Sequence, residues 1–325
     1  MNLLRGPSGR EISARHFLTN LLALGLLTTS FLAGREPFEG QKAMVVSAHH
    51  LASEAGAAVM RKGGNAIDGA VATGFALAVT SPQAGNLGGG GFMIIHTSKQ
   101  KSVALDFRET APLAASEDMF LDQDGNADPL RSQQGYLANG VPGTVAGLEH
   151  AWKQYGSGNI SWHDIIEPAR RLAADGFTLS SSMAQLLESH AVRLSKNPET
   201  HRVFLNKGSY HRAGDLFQQP DLAGTLARIQ KHGATDFYAG ETADLIVADQ
   251  VAGGGLITHE DLLTYQTKER AVVRGNYRGY EFVTMPPPSS GGIALVQILG
   301  MLEPHDLKSL QFQSADYIHL VTEAM

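Results

Sequence analysis

Four consecutive glycines stand at residues 88–91, inside "PQAGNLGGGGFMIIH" (residues 82–96). Each glycine costs about 0.5–1 kcal/mol of conformational entropy relative to alanine, so the run demands unusual torsions or very close neighbours. Its flanks narrow the choice. Upstream, "LASEAGAAVMRK" is rich in helix formers and stops at Gly63 and Gly64. Asn65 can then cap a second helix from Ala66 to about Val79, with Asp68 in the first turn, where the helix dipole favours a carboxylate. That helix is nearly all small or apolar, which predicts burial against a sheet. Downstream, "GFMIIHT" and "SVALDFR" flank the polar "SKQK" and read as a hairpin with a four-residue loop. Centring the turn between Lys99 and Gln100 sets Phe107 opposite Phe92, Leu105 opposite Ile94 and Arg108 opposite Gly91. Phe92, Ile94, Val103, Leu105 and Phe107 then share one apolar face.

A glycine-rich loop invites a phosphate-binding reading, and the flanks argue against it. There is no G-x-x-x-x-G-K-[ST], and these glycines precede a strand rather than open a helix, so no helix N-terminus is offered to a pyrophosphate. A net charge of −6 without a Lys/Arg cluster argues against a nucleic-acid partner. With no cysteine, disulfides, thiolate nucleophiles and Cys-rich zinc sites are excluded. The 13 histidines include no H-E-x-x-H. "HEDLL" at His259 lacks a second ligand one turn on, and "HDIIE" at His163 reads as a solvated helix face more readily than as metal ligands. No G-x-S-x-G elbow supports a serine esterase. No metal or cofactor is expected.

The remaining chain reads as helices and loops. A helix starts at about Thr144, and "SWHDIIEPARRLAADGF" reads as a helical pair interrupted at Pro168. "YRGYEFVTM" reads as one strand, and "PPPSSGG" as a rigid loop whose serines cap the helix "IALVQILGMLE". "SADYIHLVTEAM" keeps helical spacing up to Met325. Residues 1–36 form a separate segment from 37–325: Arg5, Arg10 and Arg15 precede an apolar stretch from Phe17 to Ala33, as in an export signal. The alternative is an uncleaved membrane anchor, although the stretch sits at the short limit of about 17–25 residues for a spanning helix.

In "DFRETAP", Asp106 and Arg108 share a strand face by period two. A guanidinium at a strand end can accept a carboxylate in bidentate geometry, or it can form an ordinary ion pair with Asp106 or a solvated step with Glu109. "GGNAIDGAVA", "SPQAGNLGGGGFMI", "LDFRETAP", "NGVPGTVAG" and "MPPPSSGGI", in this order, resemble the large-subunit portion of gamma-glutamyltransferases, also called gamma-glutamyltranspeptidases or glutathione hydrolases. The resemblance covers about residues 40–325.

It implies an α+β fold, the large-subunit half of an N-terminal-nucleophile hydrolase αββα sandwich. It implies a precursor that cleaves itself, with the new N-terminal threonine of a small subunit attacking the gamma-glutamyl amide of glutathione and related compounds. The glutamyl group then passes to water or to an amino acid or peptide acceptor. By position, Arg108 matches the arginine that binds the glutamyl α-carboxylate, with the adjoining glycines expected to leave room for that carboxylate. The family's T-T-H-[FY]-S type segment is absent, so these residues hold no catalytic nucleophile and are expected to be inactive alone. Either a longer precursor or a separately encoded partner would supply it, and the helical pattern reaching Met325 favours the precursor. The resemblance and the N-terminal pattern together imply export to a bacterial periplasm. A related cephalosporin (glutaryl) acylase and a non-catalytic binding half-fold are the alternatives.

Overall fold

A computed structural model describes residues 39–99, 101–205 and 208–325. Residues 1–36, with the signal or anchor, lie outside the described residues. The chain divides into Met1–Lys42 and Ala43–Met325, and the architecture below is that of the second unit.

The first two helices form where their end signals stand. α1 spans His50–Arg61 and α2 spans Ala66–Thr80. Asn65 Oδ1 accepts the Ile67 and Asp68 N–H groups at 2.9 and 3.0 Å, and Asp68 Oδ2 accepts the Asn65 N–H at 2.8 Å. This capping box satisfies donors that the helix itself cannot. It also reaches outward: Asn65 Nδ2 donates to the Tyr155 carbonyl at 2.8 Å and Asp68 Oδ2 accepts the Ser157 N–H at 3.0 Å. Both partners lie at the end of α3 (Thr144–Tyr155).

α2 packs along α1, α3 and α4 (Trp162–Asp175), and α4 packs on α5 (Pro220–His232). Phe75, Val79, Ile165, Ile166, Leu226 and Ile229 are fully buried in this layer. Pro168 does not divide α4 into two helices as the sequence predicts. A proline in a helix interior costs about 3 kcal/mol. Burial of Ile165 and Ile166, in the turn just before Pro168, offsets it at about 1.5–3 kcal/mol per side chain.

β1 (Gly91–His96) and β2 (Ser102–Phe107) form the expected hairpin. Its register differs from the predicted one by a single residue: Gly91 faces Phe107, Phe92 faces Asp106 and Met93 faces Leu105. The connection runs from Thr97 to Lys101, closed by a 3.0 Å bond from the Thr97 N–H to the Lys101 carbonyl. An odd loop replaces the expected even one, and a one-residue slip turns β1 over. Met93 and Ile95 therefore face the helices with Val103, Leu105 and Phe107. Phe92 and Ile94 stand on the other face, 36% and 39% exposed.

β3 (Phe177–Thr178) and β4 (Leu216–Phe217) pair separately, while β5 (Lys268–Arg270) adds antiparallel to β2, giving the order β1-β2-β5. α6 (Glu241–Gly253) and the short helix His259–Thr264 close a smaller apolar cluster of Val141, Ala243, Ile257 and Leu262 just before β5. "YRGYEFVTM" belongs to a hairpin rather than one strand. β6 (Val273–Tyr277) and β7 (Tyr280–Thr284) are joined by Arg278 and Gly279 at φ +51° and +83°, the torsions of a tight two-residue turn. α7 (Gly291–Leu302) and α8 (Ala315–Ala324) follow. Ser290 precedes α7 without a side-chain capping bond, contrary to expectation, whereas Ser314 caps α8 by accepting the Tyr317 N–H at 3.1 Å.

Two of the four glycines, Gly90 and Gly91, find their cause at Phe107, while Gly89 lies against the Asn86 side chain and Gly88 stands in open space. A Cβ on Gly91 would lie 2.8 Å from Phe107 Cε2, and one on Gly90 2.6 Å from the Phe107 carbonyl oxygen. Side chains on Gly143 and Gly147 of α3 and its N-terminal turn would overlap the Phe107 carbonyl and ring outright. Gly147→Ala should therefore overpack this contact at about 1–3 kcal/mol. Thermal unfolding should show a midpoint lowered by several degrees. Gly224→Ala, whose Cβ would meet nothing closer than 3.8 Å, should leave it unchanged or raise it slightly.

Candidate functional site

Arg108 is the first residue beyond β2, and the strand period puts it on the face opposite the helices, with Asp106. Cross-strand register brings β5 to the same face: Asp106 lies opposite Lys268, and Ala104 opposite Arg270. Asp106 is buried and uses both oxygens. Oδ2 accepts Arg270 Nε at 2.8 Å, and Oδ1 accepts the Arg108 N–H at 3.1 Å. Of the options the sequence leaves open for Asp106, its ion pair is with Arg270, 164 residues away, and its tie to Arg108 is through the backbone.

The Arg108 peptide is held on its other side as well. Tyr265 Oη donates to the Arg108 carbonyl at 2.9 Å, and two residues on, Thr110 bridges Val141 by a pair of backbone bonds at 3.2 and 2.8 Å. The guanidinium itself is exposed and donates Nη1 to the Pro288 carbonyl at 3.2 Å, its side-chain hydrogen bond among the described residues. Arginine carries five N–H donors, so the fork keeps donors to spare, and Arg108 lines an open cavity of about 270 Å³. Glu109, Gln266, Lys268 and Pro288 line that cavity with it.

Two titrations bear on this wall. Burial, then the charges of Asp106 and Glu109, push the Tyr265 phenol up, so it remains a protonated donor. On the helix side of β5, hydrogen bonds from His150 at 2.9 Å and from Tyr155 at 2.7 Å hold the Glu269 carboxyl below its usual range. Both donors belong to α3, so Glu269 pins β5 to the helix layer while Lys268 and Arg270 point the other way.

The other sequence candidates are not brought together here. His163 is exposed beside Asp164, and Glu167 is engaged by Arg170 and Arg171. His259 bonds Asp244 at 2.9 Å on the surface. Thr144 is buried, donating its hydroxyl to Asn86 Oδ1 at 2.5 Å and its N–H to the Gly89 carbonyl at 3.1 Å, which fastens the glycine run to α3. The expectation that the glycines leave room beside Arg108 is not met. The Phe107 ring lies against Gly91, and the Glu109 carboxylate against Gly90. Tyr265 and Arg270 escaped the sequence reading because no local pattern links them to Arg108. The arrangement suits binding: a clamped arginine with free donors, next to a carboxylate, can hold the head group of an α-amino acid.

Residues 52–325 match the family model described as Gamma-glutamyltranspeptidase. The chain belongs to this family. A glutathione hydrolase proenzyme of Pseudomonas sp. (strain A14) is 45% identical over 313 residues, covering 95% of this chain and 54% of that protein. The crystal structure of Helicobacter pylori gamma-glutamyltranspeptidase superposes with a TM-score of 0.86 at 48% identity, over 89% of this chain and 82% of that one. An acylase ACY 1 proenzyme of Pseudomonas sp. (strain SE83) is 35% identical over 301 residues, 91% of this chain and 54% of that protein. The chain thus spans about half the length of the curated relatives it matches. Its mixed helix and strand architecture is the α+β fold of the gamma-glutamyltranspeptidase family, in the large-subunit half of the N-terminal-nucleophile hydrolase sandwich.

The Glu269 contact yields a pH signature. Because its folded pKa is lowered, its stabilisation is fully present above the ordinary carboxylate range and is lost as pH falls through the lowered value. Thermal midpoints of the wild type and Glu269→Gln should differ most above the ordinary carboxylate range and converge as the pH falls below it. Glu269 is 43% exposed, so the gap should not exceed about 1 kcal/mol.

Proposed function

We propose that this chain is the substrate-anchoring half of an exported gamma-glutamyltransferase, a glutathione hydrolase, in which Arg108 takes the α-carboxylate of the glutamyl group. The observation that carries this reading is the geometry of Arg108: its peptide is clamped on both sides while its guanidinium faces the cavity with donors to spare. Two charge-assisted hydrogen bonds then fix the glutamyl end and deliver its side-chain amide to a nucleophile at a set distance.

The nucleophile is the N-terminal threonine of the small subunit made from the same precursor. Its α-amine takes the hydroxyl proton as oxygen attacks the gamma-carbonyl. The amide C–N bond breaks, the leaving amine takes the proton, and a glutamyl ester remains on the threonine. Water or the amine of an amino acid or peptide then attacks that ester, releasing glutamate or a new gamma-glutamyl amide and returning the proton to the threonine. The base is built into the nucleophile, so no cofactor enters the scheme.

The acylase reading draws support from the 35% identical acylase proenzyme. Glutaryl substrates keep the carboxylate that Arg108 takes but lack the α-amino group, so they leave Glu109 without an ammonium to pair with, and the gamma-glutamyl reading is preferred. The complete protein should turn over glutathione faster than glutaryl-cephalosporin. The basic and apolar pattern of residues 1–36 supports export, and cell fractionation should recover the protein from the periplasm.

In the complete proenzyme, Arg108→Lys keeps the charge and loses the fork. A hydrogen bond to a charged group is worth about 1.5–3 kcal/mol, so the KM for a gamma-glutamyl anilide should rise about tenfold or more with little change in kcat. An unchanged KM would refute the assignment.

A further inference from the structure

Arg108 stands one residue past the end of the β1-β2 ladder, so sheet pairing does not fix its peptide. Its side chain has four rotatable bonds and a single hydrogen bond among the described residues, to Pro288. Its aim must therefore be set by its backbone. We infer that Tyr265 is a positioning residue for this arginine: its hydroxyl holds the Arg108 carbonyl while Asp106 holds the N–H, and together they direct the guanidinium into the cavity. The inference rests on the reading of Arg108 as the carboxylate anchor.

Tyr265 is built to hold that place. Its ring stacks on Tyr238, with centroids 5.7 Å apart and planes 11° from parallel. Tyr238 Oη donates to the Pro142 carbonyl at 2.9 Å and accepts the Ala146 N–H at 3.2 Å, so the stack is fastened to the first turn of α3. Gly143 lies between these two anchors. Any side chain there would collide with the Tyr265 hydroxyl, so this glycine is what lets the hydroxyl reach Arg108. The opposite clamp is fixed as firmly, because Arg270 occupies the second oxygen of Asp106 at 2.8 Å. Burial and the neighbouring carboxylates keep the phenol protonated, which a permanent donor requires.

Tyr265→Phe in the complete proenzyme keeps the stacked ring and removes only the hydroxyl. Two substrates separate aiming from general stability: gamma-glutamyl p-nitroanilide, and gamma-aminobutyryl p-nitroanilide, which lacks the α-carboxylate. The KM for the first should rise about three- to tenfold, as for a weakened hydrogen-bonded contact. Its kcat, the thermal midpoint and kcat/KM for the second substrate should stay at wild-type values. In an Arg108→Lys background, adding Tyr265→Phe should change nothing further, since a residue acting through Arg108 has nothing left to aim. Equal losses on both substrates, no loss on either, or additive losses in the double variant would each overturn the inference. If Arg108→Lys is itself without effect, the anchor reading has failed. If Arg108→Lys raises KM and Tyr265→Phe does not, the positioning role alone has failed.

Discussion

Phe107, through its ring and its carbonyl, ties together two elements that would otherwise be independent, β1 and α3. It closes the hairpin against Gly91, its carbonyl lies under Gly90 and Gly143, and α3 crosses it at Gly147. Protein interiors are packed as densely as organic crystals, so such contacts permit one relative placement of strand and helix and few others. Two separate stretches of sequence, at residues 90–91 and 143–147, give up side chains to this one residue. The adjoining residue is Arg108, so precision in the apolar layer is passed directly to the polar face.

The same sheet divides labour between its faces. Leu105, Val103 and Phe107 point into the helices, and Glu269 reaches the same side to be held by α3. Asp106, Lys268 and Arg270 point the other way, with Phe92 and Ile94 beside them. Charged and apolar groups thus share the face of the sheet turned away from the helix layer, in a chain about half as long as its curated relatives. In a four-layer sandwich this is the face a second sheet covers, and it carries the candidate site.

What the sequence made legible was local. The capping box at Asn65 and Asp68 fixed the start of α2, and the glycines and short apolar runs gave the hairpin. The register was lost because the loop holds an odd number of residues, and an apolar residue at every position of "FMII" leaves the pattern unable to choose a face. Pro168 misled because the penalty for an interior proline is local, while the burial that outweighs it comes from α2 and α5. Arg108 was found through a family motif. Tyr265, 157 positions downstream, and Arg270 were not, since hydrogen bonds at that separation leave no periodic trace.

Arg270 explains why Arg108 remains available. By strand period, Asp106 and Arg108 lie on one face two residues apart, close enough for the arginine to fold back onto the carboxylate. A buried carboxylate needs hydrogen-bond donors or a cationic partner, since an unsatisfied one would cost several kcal/mol. Were Asp106 to draw on Arg108, the anchor would be consumed by its own scaffold. Strand β5 prevents this by delivering a second guanidinium across the sheet, two residues beyond the Lys268 that faces Asp106, so that the carboxylate is satisfied without Arg108. Asp106 is then left to hold the Arg108 peptide rather than its head group. The pairing of β5 with β2 therefore decides which charges meet on this face, and under the proposed reading of Arg108 it is what leaves that guanidinium to the ligand.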